Sequence, residues 1–288
     1  MSFVSPAELF ARRIRVRRAV LVLLSVGTVV GLWFLAVQSR QGQLVDDVAM
    51  QAVRYRLDLT GWPSAALAGF VSEAALAVAA VAVVTIALIR RRVALAVRAV
   101  LVLAAANATT QVLKVALERP QLDVGHALFN SYPSGHVTAV ASAMVALAAV
   151  LPVAARSWTC WAGFLLTALT SVATIALGWH RPADVVSALA VVMFFAMLGL
   201  PAEFVRGRGT PWPGILSAVG LLFAAAGIAL AVLNTALPDA PVTYAEVADL
   251  ATTAVPGALL AGSACLLVIA ASAALFAAVN SLAAGRIN

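Results

Sequence analysis

The chain has 288 residues, of which 63% are hydrophobic and only 11% charged, with a net charge of +7. A soluble domain carries about 25% charged residues, so this composition excludes a soluble globular protein. The positive balance is no nucleic-acid signature either, because the arginines are dispersed over short loops rather than gathered on one surface.

Residues 1–18 form a basic tail. Runs of about 20 apolar residues, the length that crosses a bilayer, follow at 19–37, 65–89, 93–113, 137–155, 158–178, 185–204, 213–233 and 250–279. The chain is therefore expected to be an all-α integral membrane protein of about eight transmembrane helices. The first run is longer than a signal-peptide core and lacks a small-x-small cleavage site, and is read as a retained helix. Pro256 is expected to kink the last run or move its start.

Arginines mark alternate loops: Arg12 to Arg18, Arg90 to Arg92, Arg156, Arg206 with Arg208, and Arg286. By the positive-inside rule these loops and both termini are cytoplasmic. The other loops then face outward, and all the candidate chemistry lies on them. The longest, 38–64, contains Asp46 and Asp47. Its spacing of Val45, Val48, Ala49, Ala52, Val53 and Leu57 fits either an amphipathic helix lying on the membrane or a solvated loop. Trp62 and Pro63 fit the interfacial end of the second span.

Lys114 is the only lysine in the chain and ends the third span, followed by Arg119-Pro120. Cations at such a boundary bind phosphate or snorkel as anchors. Pro133-Ser134-Gly135-His136 opens the fourth span. A helix N-terminus offers free N–H groups and a partial positive charge to an anion. Ser134 can cap the helix or bond phosphate, and Gly135 lets an anion approach the backbone. The plainer alternative is an ordinary turn with an interfacial histidine. His180 and Asp184 stand one helical turn apart at the start of the sixth span, with Pro182 at a position where a helix tolerates it. A carboxylate on one imidazole nitrogen fixes the tautomer and leaves the other nitrogen as nucleophile or base. The plainer alternative is a helix-start aspartate beside an incidental histidine. No acidic cluster suggests a metal ion.

These three elements resemble the type 2 phosphatidic acid phosphatase (PAP2) superfamily of membrane lipid phosphatases. Its pattern is Lys, six residues, Arg-Pro; then Pro-Ser-Gly-His; then Ser-Arg, five residues, His, three residues, Asp. The second part matches at 133–136, and the His and Asp of the third at 180 and 184. Arg119-Pro120 sits two residues early, and Ala173-Thr174 stand where Ser-Arg belongs, so one phosphate-binding arginine is missing. Arg181 is the candidate to supply charge in its place.

The resemblance implies a six-helix PAP2-like core over 19–205, with 206–288 as an appended C-terminal hairpin. It implies a phosphatase acting on a lipid phosphate at the outer face without cofactor or metal. His180 would attack phosphorus, Asp184 would orient it and His136 would protonate the leaving oxygen. Lys114, Arg119, Ser134, Gly135 and Arg181 would hold the phosphate. Candidate substrates are polyprenyl phosphates or diphosphates and phosphatidic-acid-like lipids. A phosphotransferase of the same architecture and a non-catalytic lipid-phosphate-binding or transport protein are the alternatives.

Outside the motifs, Glu73 is either a pocket residue or a protonated group bonded to a neighbouring helix. Arg98 reads as a snorkelling anchor, His126 as a solvated loop residue, and Cys160 and Cys265 as free packing residues.

Overall fold

The computed structural model describes residues 6–59, 73–124, 130–202, 212–234, 241–252 and 255–282. Trp62, Pro63, His126, Arg206, Arg208 and Arg286 lie outside them, as does the side chain of Glu73. Among the described residues there are ten α-helices. They are α1 (Pro6–Leu32), α2 (Arg40–Leu57), α3 (Glu73–Ile89), α4 (Val93–Ala116), α5 (Gly135–Val150), α6 (Val153–Ala176), α7 (Pro182–Gly199), α8 (Trp212–Asn234), α9 (Tyr244–Thr252) and α10 (Pro256–Ser281). A π-helical turn, Trp33–Val37, extends α1. The only extended pairing among these residues is an isolated bridge between Val124 and Val242.

Five helical stretches are long and apolar enough to cross a membrane: Ala11–Val37, Val93–Ala116, Ala154–Ala176, Pro182–Gly199 and Pro256–Ser281. Three shorter apolar helices, Ala77–Ile89, Gly135–Val150 and Ser217–Leu230, account for the other expected runs. The chain is an all-α membrane protein. Helices are the economical solution here, because every backbone polar group in hydrocarbon must be satisfied within its own segment.

Pro256 moves the start of the last helix rather than kinking it. It occupies the first turn of α10, where its missing N–H costs nothing, and the preceding residues form the separate short helix α9. Helices α8 and α10 pair through small residues. A side chain at Gly227 would lie 2.0 Å from Ser263 Oγ, and one at Gly220 would lie 2.8 Å from Ala270 Cβ. Such close backbone approach is the usual glue of membrane helices. On its other side α10 is part of the main core, where Leu275, Phe276 and Val279 are buried with Val137, Ile175 and Val192.

Helix α2 corrects one expectation. It is helical, but its apolar stripe faces protein instead of lipid. Leu44, Val48, Met50 and Val53 join the main core, and Gln43, Asp46, Asp47 and Gln51 are buried beside them. A helix that buries two carboxylates needs hydrogen-bonding partners for them, and a lipid surface offers none.

Polar contacts fix α4 against α5. Asn107 Nδ2 donates to Ser142 Oγ at 3.0 Å, and the Thr110 and Thr138 hydroxyls are 3.0 Å apart. Interhelical hydrogen bonds in membranes average about 0.6 kcal/mol each. Their use here is register, because they set which residue of α4 lies over the start of α5.

The arginine-rich loops gather at one end of the bundle. Arg18 donates to the carbonyl of Leu200 and Arg90 to that of Val150. Arg156 Nε reaches Ala148 O at 3.2 Å. Exposed Arg98 lines an open cleft of about 500 Å³ with Arg91, Arg92 and Pro201. The three motifs lie at the opposite ends of these same helices. Cys160 is buried, Cys265 is half-buried, and both are free thiols.

Candidate active site

The first motif begins on the last turn of α4. Lys114 points across to α5, with Nζ 3.5 Å from where a side chain at Gly135 would begin and Gln111 Nε2 3.6 Å from the same point. Gly135 therefore keeps open the space between the lysine and the start of α5.

Arg119 does not extend the helix. Helix α4 stops at Ala116, and Leu117 is already in extended conformation. Extended chain advances about 3.3 Å per residue, so the loop absorbs the two-residue difference in spacing. Arg119 turns inward and is 9% exposed, with Nη2 3.3 Å from Asp184 Oδ1. Its Nε and Nη1 are buried and have no partner among the described residues. Buried donors left unpaired cost about 1–3 kcal/mol each, so these two atoms mark a place prepared for an acceptor.

The second motif forms the N-terminus of α5. Ser134 is the cap, its Oγ accepting from Val137 N at 3.4 Å, and it is fully buried. Its backbone N–H donates to the carbonyl of Asp184 at 2.9 Å, tying the second motif to the third. Tyr132, just upstream, is fully buried and donates its hydroxyl to Val29 O at 2.5 Å, anchoring the loop to α1.

The third motif starts where α6 ends. Gly178 takes φ +72°, and the N–H groups of Trp179 and His180 both reach back to Thr174 O, at 3.0 and 3.2 Å. This glycine-terminated stop turns the chain so that His180 enters the site. Helix α7 then begins at Pro182. Asp184 reaches back one turn to accept from Arg181 N at 2.9 Å, the arrangement of an acidic residue at the third helical position.

The two histidines meet. His136 Nδ1 is 3.3 Å from His180 Nε2, and the ring centroids are 5.5 Å apart. The far nitrogen of His180, Nδ1, lies 3.7 Å from Asp184 Oδ2. Trp179 packs its ring 5.1 Å from that of His136. Asp184 is fully buried. Its Oδ2 also accepts from Ser131 Oγ at 2.6 Å, and its Oδ1 faces Arg119. Burial pushes the pKa of His136 down to about 4, and the positive potentials of His180 and Lys114 push the same way. With no phosphate bound, His136 is therefore neutral near pH 7. The geometry accommodates a proton on His180 Nδ1 facing the carboxylate and a second on His136 Nδ1 facing His180 Nε2. In that arrangement the Nε2 lone pair of His180 faces His136 rather than the carboxylate.

His136, His180, Asp184, Lys114, Arg119, Ser134 and Gly135 thus come together at one end of the bundle. Arg181 adjoins them but is already engaged. Its Nε donates to Asp47 Oδ1 at 2.9 Å, and Nη1 lies 3.4 Å from Ser131 Oγ. Ser131, Asp46, Asp47, Gln43 and Trp179 were not singled out as site residues from the sequence. The signal available was two adjacent acids inside an otherwise apolar periodic stretch. Among the described residues, no group of three His, Cys, Asp or Glu side chains is placed to hold a metal ion.

Residues 95–208 match the family model of the PAP2 superfamily. A search of curated proteins and a search of solved structures each returned no significant match. The matched segment runs from α4 beyond the end of α7 and includes Lys114, Arg119, the Pro133–His136 turn, His180 and Asp184, whereas α2 lies upstream of it. Residues 95–208 of this membrane protein are therefore similar to the PAP2 superfamily.

Proposed function

We propose that the protein is a membrane phosphatase that removes phosphate from a lipid phosphate ester or diphosphate through a phosphohistidine on His180. The observation that carries this reading is the line Asp184, His180, His136. It presents one activated ring nitrogen to a second imidazole, between the start of α5 and two unpaired donors of Arg119. Phosphoryl transfer needs little more than in-line positioning and stabilisation of charge on the equatorial oxygens.

In this reading the substrate phosphate inserts between the histidines and replaces His180 Nε2 as the acceptor of the His136 Nδ1 proton. The negative charge of the phosphate raises the proton affinity of His136, which then carries a proton to donate. His180 Nε2 forms the bond to phosphorus as the bond to the lipid oxygen breaks. That oxygen takes the proton from His136. Water then attacks the phosphohistidine and gives a proton back to His136, and inorganic phosphate leaves with His180 restored. Lys114, Arg119 and the N–H groups at the start of α5 hold the phosphate oxygens. Ser134 acts mainly as the cap that keeps those N–H groups in place.

A lipid substrate fits the depth of the site. Helix α5 has 16 residues, about 24 Å of helix, against a hydrocarbon core of about 30 Å. A phosphate at its N-terminus therefore sits at headgroup level or slightly below. The gathering of arginines at the far end supports an outward-facing site with cytoplasmic termini.

The test is phosphate release by the purified protein from polyprenyl phosphate, polyprenyl diphosphate, phosphatidic acid and phosphatidylglycerol phosphate, with and without EDTA. Release without an added acceptor, unaffected by EDTA, is the expected result. Transfer only to an added acceptor would make the protein a phosphotransferase. Binding without turnover would make it a lipid-phosphate-binding protein.

A further inference from the structure

Helix α2 lies outside the matched segment, yet it touches two of the three motif loops through side chains one turn apart. Gln43 Nε2 donates to Pro120 O at 3.0 Å, directly after Arg119. Asp46 Oδ1 accepts from Ala183 N at 3.0 Å, in the first turn of α7. Asp47 Oδ1 pairs with Arg181 Nε at 2.9 Å, directly after His180. All three side chains are buried. Positions i, i+3 and i+4 share one helix face, so this stripe is a single surface applied to the back of the site. Asp46 Oδ2 is buried with no partner among the described residues. That atom would be costly in a helix that merely filled space.

We propose that Gln43, Asp46 and Asp47 form a positioning stripe that holds His180 in line. Asp47 neutralises Arg181 and fixes the residue after the nucleophile. Asp46 takes a free N–H of the first turn of α7 and so fixes the helix start on which Asp184 sits. Gln43 ties the loop carrying Arg119 to the same helix. Arg181 is then a structural cation joining α2 to the nucleophile, and the phosphate is left to Lys114, Arg119 and the start of α5. None of the three stripe residues contacts phosphate.

This inference rests on the phosphatase reading for its kinetic consequence but has a readout that does not. Asp46→Asn and Asp47→Asn would be purified in detergent beside wild type. Phosphate release from phosphatidic acid in mixed micelles would be measured, as would the rate at which diethyl pyrocarbonate modifies His180, followed by mass spectrometry and normalised to His126. Both variants are expected to lose kcat by about 10²-fold, the effect of misplacing a reacting group by about 1 Å, with little change in KM. His180 modification should speed up several-fold as its surroundings loosen. Should Asp47→Asn not fold, the neutral pair Asp47→Asn with Arg181→Gln replaces it, with the same expectation for His180. If wild type releases no phosphate, the phosphatase reading fails and the His180 rate alone decides. Folded variants whose His180 rate matches wild type would overturn the positioning role.

Discussion

The carboxylate of Asp184 receives the Ser131 hydroxyl at 2.6 Å on the same oxygen that faces His180 Nδ1 at 3.7 Å. Ser131 Oγ is thus the closest polar neighbour of the carboxylate beside His180. Ser131→Ala should leave Lys114 and Arg119 in place but free Asp184 Oδ2 to shift. The expected outcome is a several-fold drop in kcat with little change in KM, read from steady-state phosphate release. A change in KM alone would mean that Ser131 touches substrate instead.

His180→Ala should abolish phosphate release, because no second group is placed to attack phosphorus. Asp184→Asn should retain lipid binding but turn over slowly, since the imidazole loses the carboxylate that sets its tautomer. Trapping with ³²P-labelled lipid checks both. The wild-type protein should yield an acid-labile, base-stable phosphoprotein, and His180→Ala should yield none.

His136→Ala should cost about 10²–10⁴-fold, and the loss should depend on the leaving group. Lipid monophosphates, whose alkoxide leaves poorly, should suffer most. An aryl phosphate with a good leaving group should suffer least. Comparing kcat/KM for the two substrates in wild type and variant measures this directly, and an equal loss on both would remove His136 from the proton-donor role.

Stability should depend on pH through Asp46. Its pKa is raised to about 7, chiefly by burial and further by the negative charge of Asp184, while Arg119, the Ala183 N–H and Arg181 oppose the rise. Between an unfolded carboxylate near 4 and this raised value, the folded state binds more protons than the unfolded one. The contribution of Asp46 to stability is therefore present at low pH and is lost as pH rises towards 7. Asp46→Asn removes that titration. The thermal midpoint of the variant relative to wild type should climb from pH 4.5 to pH 7 and level off above it. A difference independent of pH would contradict the raised value.

Much of the site was legible because its residue types are rare in this chain. One lysine and a His-x₃-Asp at a helix start stand out against alanine, valine and leucine. The eight apolar runs were legible because each exceeds what a soluble core could absorb, and all eight have helical counterparts. What could not be read was tertiary. Arg119 looked displaced because spacing was counted along a helix, whereas the loop after Ala116 is extended. Arg181 looked like a substitute phosphate ligand because Asp47 lies 134 positions away in sequence and nothing local announces their pairing. Helix α2 could be read as a membrane-surface helix or a solvated loop, because amphipathic periodicity is the same whether the apolar face meets lipid or protein.

Topology is open to a direct check. A cysteine introduced at position 126, with Cys160 and Cys265 replaced, should react with a membrane-impermeant maleimide in whole cells. A cysteine at position 91 should react only after lysis. The reverse pattern would turn the site towards the cytoplasm.

The rear of α2 rests on residues far along the chain. Arg56 Nη1 donates to Ala251 O at 3.0 Å, Tyr244 Oη lies 3.5 Å from Gln51 Oε1, and Leu260 and Ala264 share the core with Val48 and Val53. The helix is clamped between the loop after Arg119 and the start of α7 on one side and α9 and α10 on the other. A fragment trimmed to the family-matched segment would keep the motif loops but lose α2 and the C-terminal helices behind it. Changes in the last forty or so residues can thus reach α2, and through it the loops that carry Arg119 and His180, without touching a motif.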